Sequence, residues 1–150
     1  MSLLTELGDY DSAIAGAVAE IIAEEEFGLL KSKRGMAGID GYRGERSVQV
    51  KGKEARSLLR YSLSTRYITL RPGVVPDEFL ILFVAPVGWW LAYDGPVAGV
   101  RSRGSNARYY IVDMIGREAA KLLQTSIVDT LGGEQPLTND PLRGATRAAM

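Results

Sequence analysis

The chain has 150 residues, 46% of them hydrophobic and 24% charged, and its 18 basic side chains balance 18 acidic ones. That length suits one domain with a core of its own. With no cysteine and no histidine, disulfides, Cys/His zinc sites, Ser-His-Asp triads and histidine-based nucleases are excluded, so any metal must be held by oxygen.

The N-terminus, Met1 to Glu6, carries no basic n-region or apolar h-region. No signal peptide is expected, and no apolar run approaches the length of a membrane span. The cytoplasm is therefore the expected compartment. From Asp9 to about Phe27 the spacing predicts a helix, with Asp9, Asp11 or Ser12 as cap. Ile14, Val18, Ile21 and Ile22 make its apolar stripe. Ala13, Gly16 and Ala17 beside the stripe allow close approach to a sheet, with Glu20 at the edge of the buried face. Gly28 ends the helix.

Charge is unevenly spread. Residues 1–30 hold seven acids and no base, whereas residues 31–71 hold eleven bases and three acids. Lys31 to Gly38 reads as a basic loop, and residues 38–43 and 46–52 as a hairpin turning near Arg43-Gly44-Glu45. On a strand, Gln49 and Lys51 share one face and Val50 takes the other. A carboxylate, an amide oxygen and a lysine at this hairpin are the groups that hold a hard divalent ion and act on a phosphodiester. The basic surroundings suit a polyphosphate ligand. Other readings of the same residues stay open. Asp40, in Gly-x-Asp-Gly, also suits a turn. Gln49 and Lys51 also suit the solvent face of an ordinary strand, and Glu20 a surface acid with Glu24 as its competitor.

Residues 54–64 are ambiguous between a short helix and an irregular crossing. Tyr67 to Leu70 has strand composition. Phe79 to Val84 is a continuous apolar run of strand length, expected at the centre of the sheet. Trp89 to Tyr93 returns as the next strand, with the two tryptophans on opposite faces and read as packing residues. Asp94-Gly95-Pro96 turns the chain toward Val97–Val100. Tyr109 to Val112 suggests an edge strand, and a helix follows from Asp113 to about Gln124. The expected organisation is one domain over residues 1–132 and a flexible tail over 133–150. The fold class is α/β or α+β, a mixed central sheet flanked by helices.

A helix glutamate, an aspartate after a Gly-containing loop, then Gln-x-Lys on the next strand resembles the PD-(D/E)XK nuclease superfamily. Its restriction-endonuclease-like fold includes Holliday-junction resolvases. The matching residues are Glu20, Asp40, Gln49 and Lys51, within a resemblance spanning about residues 10–95. Gln49 stands where an acid is more usual, and Ile39 where a proline is common. The resemblance implies a Mg²⁺- or Mn²⁺-dependent DNA endonuclease or resolvase-like phosphodiesterase. It implies Asp40, Gln49, the Val50 carbonyl and Glu20 as metal ligands, with Lys51 activating water or steadying the phosphate. Lys33, Arg34, Arg43, Lys53 and Arg56 are the expected DNA-phosphate contacts. Two alternatives stay open: a non-catalytic nucleic-acid-binding or protein-interaction module on the same fold, as in a phage or mobile-element accessory protein, and a small α+β domain unrelated to nucleases. Family members often pair to cut two strands, which leaves a homodimer open.

Overall fold

The structure is a computed structural model that describes residues 12–31, 38–70, 73–104 and 107–132. The expected contacts Lys33 and Arg34, and the expected tail over 133–150, lie outside the described residues.

Five strands form the main sheet. They are β1 (Leu30–Lys31), β2 (Gly41–Arg43), β3 (Arg46–Glu54), β5 (Glu78–Ala85) and β6 (Gly88–Pro96), in the order β1-β2-β3-β5-β6. β3 and β5 are parallel, and the other neighbours are antiparallel. A parallel pair needs a crossover. Here residues 55–77 supply it through two short 3₁₀ segments, Ala55–Leu59 and Leu63–Thr65, and the strand β4 (Tyr67–Ile68). β4 pairs with β7 (Tyr109–Tyr110) as a separate small sheet. Helix α1 (Ser12–Glu26) covers one face of the main sheet. Helices α2 (Ile111–Ile115) and α3 (Arg117–Gly132) and the 3₁₀ segments cover the other. The architecture is a mixed α/β sandwich with helices on both faces. No described helix is long and apolar enough to cross a membrane.

Every residue of β5 is buried, as expected of a strand covered on both faces. Phe79, Ile81 and Phe83 point into the α3 side, and Leu80, Leu82 and Val84 into the α1 side. The parallel register is clamped where it begins. The Ser47 N–H donates to Asp77 Oδ2 at 2.9 Å, and the Asp77 N–H donates back to the Ser47 carbonyl at 3.0 Å. The tryptophans divide as alternation predicts. Trp90 is fully buried on the α3 side, while Trp89 meets Phe27 edge-on at 5.5 Å on the α1 side.

Three readings change. In α1 the fully buried stripe is Ala15, Ala19 and Ala23, with Ile14, Val18 and Ile22 flanking it and Ile21 exposed. The reason is distance: a Cβ on Gly52 of β3 would lie 2.7 Å from the Ala15 carbonyl carbon and 2.8 Å from Ala19 Cβ. Only small side chains fit so close an approach. At the other end, Gly116 takes φ 90° and splits the expected single helix into α2 and α3. α2 begins at Ile111, two residues earlier than expected, and α3 runs on to Gly132. Asp94-Gly95-Pro96, expected as a turn, instead continues β6, pairing with Leu80, Phe79 and Glu78 of β5, and Val97–Val100 forms no strand.

Candidate functional site

β2 pairs with β3 over three residues only, Gly41 to Arg43 against Val48 to Arg46. One residue beyond, the Asp40 N–H donates to the Val48 carbonyl at 2.9 Å. The Asp40 side chain then turns back, and its Oδ2 accepts from the Val50 N–H at 2.7 Å. Strand N–H groups lie in the plane of the sheet. The Asp40 carboxylate therefore continues the ladder in that plane where the β2 backbone leaves off. The N–H and C=O of one strand residue point to the same edge, so the Val50 carbonyl faces the same side as Asp40. Residue 41 must be glycine for this arrangement. A Cβ there would lie 2.5 Å from the Leu30 carbonyl oxygen and 2.7 Å from Leu29 Cγ.

Glu20 approaches from α1. Burial pushes its carboxyl above the ordinary value, the Asp40 charge pushes it further, and Lys31 opposes. Glu20 and Asp40 are thus electrostatic neighbours, with Lys31 beside them. Glu24 adds a smaller like-charge effect to Glu20 and is itself exposed. In the sequence Lys31 marks only the start of a basic loop. Its signal is topological: β1 places it opposite Gly41, next to Asp40.

Gln49 and Lys51 leave β3 on the other face. In the parallel ladder they pair with Phe79 and Ile81, which belong to the core under α3. Val48 and Val50 belong to the core under α1. Gln49 is 7% exposed, and its Oε1 is buried with no hydrogen-bond partner among the described residues. No hydrogen bond among the described residues joins Gln49 or Lys51 to Asp40. The in-plane Asp40 carboxylate is what stands between the face carrying Gln49 and the face covered by α1.

A divalent cation is the cofactor to weigh against these groups. Among the described residues, no three Asp, Glu, His or Cys side chains gather into a metal cage. An ion here would draw on two carboxylates, Asp40 and Glu20, together with the unpartnered Gln49 Oε1 and the Val50 carbonyl. That is an all-oxygen set with one amide and one main-chain donor, the chemistry that Mg²⁺ and Mn²⁺ accept.

The basic candidates separate clearly. Arg43 is engaged: its guanidinium donates to Glu78 Oε1 at 2.7 Å and to Asp94 Oδ1 at 2.5 Å. It ties β2 to β5 and β6 rather than reaching out to a phosphate. Arg56 is exposed, and its backbone N–H donates to the carboxylate of Glu54, which caps the first 3₁₀ segment. Lys53 lies on the same face as Lys51. Burial, then Lys51, then Arg66, push its ammonium down to about 8. Arg66 was not among the sequence candidates. It follows the second 3₁₀ segment, sits over the Tyr61 ring at 5.4 Å, and its buried Nε has no partner among the described residues. Only the crossover brings it to β3, so no local spacing reveals it. Lys51, Lys53 and Arg66 form a partly buried cationic group, with Glu54 close enough to Arg66 to feel its charge.

Lys53 gives a pH prediction. Below about 8, folded and unfolded chains both hold the proton, so the cost of burying the charge is fully present. Between about 8 and the ordinary 10.5 the unfolded chain binds more protons, so stability rises with pH. Urea unfolding should show a gain between about pH 7.5 and about pH 9.5 that shrinks in Lys53→Met. Equal gains in both proteins would mean that Lys53 keeps an ordinary ammonium.

No family model matches the chain, and neither a curated protein nor a solved structure matches it.

Proposed function

We propose that the chain is a divalent-metal-dependent phosphodiesterase acting on DNA, of the endonuclease or resolvase type, built on a restriction-endonuclease-like core. The observation that carries this reading is the Asp40 carboxylate, held in the sheet plane by the Val50 N–H and neighbouring Glu20. The order of α1, an antiparallel β1-β2-β3 meander and a crossover to the parallel β5 supports it. Asp40, Glu20, Gln49 Oε1 and the Val50 carbonyl would hold Mg²⁺ or Mn²⁺. The bound ion would supply Lewis-acid polarisation of the phosphate and a more acidic water. Lys51 would orient the attacking water or offset charge on the phosphate, while Lys53 and Arg66 hold the strand by its phosphates. A cytoplasmic enzyme follows, and a homodimer is the form that cuts both strands.

A second reading has its own observation. Gln49 and Lys51 project from the face opposite α1, so the sheet divides both of them from Glu20 on α1. That arrangement suits a module that binds nucleic acid without cutting it.

Incubation of supercoiled, linear and branched DNA with Mg²⁺ or Mn²⁺ separates the two. The nuclease reading expects cleavage that is lost in Asp40→Ala and in Lys51→Ala. Equal cleavage by all three proteins sinks it, and DNA binding without cleavage by the wild type establishes the second reading instead.

A further inference from the structure

A second cationic feature lies apart from Asp40 and β3. A cleft of about 650 Å³ opens between the second 3₁₀ segment and the junction of α2 with α3. Arg103, Arg117 and Lys121 line it, against a single carboxylate, Asp113. That carboxylate is already spent. Arg103 Nε donates to Asp113 Oδ2 at 2.6 Å and Arg103 Nη2 donates to Asp113 Oδ1 at 3.1 Å, while the guanidinium rests 4.1 Å from the Tyr110 ring centroid. Arg103 is thereby fixed at the cleft wall.

Arg117 and Lys121 have no acidic partner among the described residues. They are four apart on α3, so they stand on one side of the helix one turn from each other. The wall facing them is held in place. Gln124 Oε1 accepts from the Leu63 N–H at 2.8 Å, which ties the 3₁₀ segment to α3. Ser62 and Ser64, with their hydroxyls 2.8 Å apart, then line the same cleft. Ser64, which lines the cleft, stands two residues before Arg66 of the β3 group in the chain. Both cationic groups are on the α3 side of the sheet.

We propose that this cleft binds the phosphodiester backbone of the nucleic acid beyond the β3 group, with Arg117 and Lys121 as its phosphate contacts and the serine hydroxyls as hydrogen-bond donors. Surplus positive charge, fixed walls and serine hydroxyls fit a contact to the phosphate backbone that is indifferent to sequence. The proposal rests on the nucleic-acid reading above and takes nothing from the metal site.

The test is fluorescence anisotropy of a short fluorescein-labelled DNA duplex over a salt series, comparing wild type with Arg117→Gln/Lys121→Gln. Both positions are exposed, so the melting temperature should be unchanged. The expected result is about tenfold weaker binding and a slope of log K against log salt shallower by about two. Equal affinity and slope in the two proteins overturn the proposal, as does a wild type that binds no duplex. A parallel Mg²⁺ cleavage assay keeps the questions apart. Asp40-dependent cleavage with unaltered binding by the double variant removes the cleft and leaves the nuclease reading standing. Cleft-dependent binding without cleavage does the reverse.

Discussion

Asp40→Ala is expected to lower Mg²⁺-dependent DNA cleavage by about a thousandfold, in line with the loss of a principal charge-stabilising group. Alanine removes two things at once. It deletes an anion whose charge is felt by Glu20, and it strips the Val50 N–H of its acceptor. The second loss costs about 1 kcal/mol of stability on its own. Asp40→Asn separates them. Its amide oxygen can still accept from Val50, so the ladder survives while the anion is gone. Nicking of supercoiled plasmid should fall in both variants, and the urea midpoint should fall mainly in Asp40→Ala. Mg²⁺ should raise the melting temperature of the wild type and of neither variant. Full nicking by Asp40→Asn would mean that Asp40 serves the strand alone.

The largest stability effect is expected at Gly52. A methyl group there meets the Ala15 carbonyl and Ala19 Cβ inside van der Waals contact, and the obstacle is helix backbone rather than a mobile side-chain tip. Gly52→Ala should destabilise the protein by about 1–3 kcal/mol, and Gly52→Val by more. Relief would require α1 to ride up from the sheet, and Glu20 moves with α1. Cleavage should therefore fall along with the urea midpoint, although Gly52 touches no substrate. An unchanged midpoint in Gly52→Val would mean that α1 packs more loosely than the Ala15 and Ala19 contacts indicate.

Local features were legible in the sequence wherever a local rule decides. The apolar run of β5, the turn at Arg43-Gly44-Glu45 and the division of Trp89 from Trp90 follow from alternation and turn chemistry. The buried stripe of α1 was misread because hydrophobicity pointed to Ile14, Val18 and Ile21, while proximity to Gly52 selects the alanines. The C-terminal helix ended late because Leu123, Ile127 and Leu131 continue its buried side past Gln124. At the candidate site, the nearness of Glu20 to Asp40 follows the order of the motif. Lys31 and Arg66 do not, since a strand pairing and a long crossover deliver them. Arg43 looked free because Glu78 and Asp94 are remote in sequence and adjacent only in the sheet.

The carboxylate that completes the ladder changes which residue is diagnostic. A chain that had shed its chemistry would still retain Asp40, because the Val50 N–H needs an acceptor at that edge. Gln49 Oε1 has no such partner among the described residues. A buried amide oxygen without a partner costs about 1–3 kcal/mol relative to a satisfied one, and an apolar side chain of similar size would remove that cost. Structural upkeep alone would favour a leucine or methionine at position 49. A water or any other donor reaching Gln49 Oε1 would remove that cost while keeping the amide.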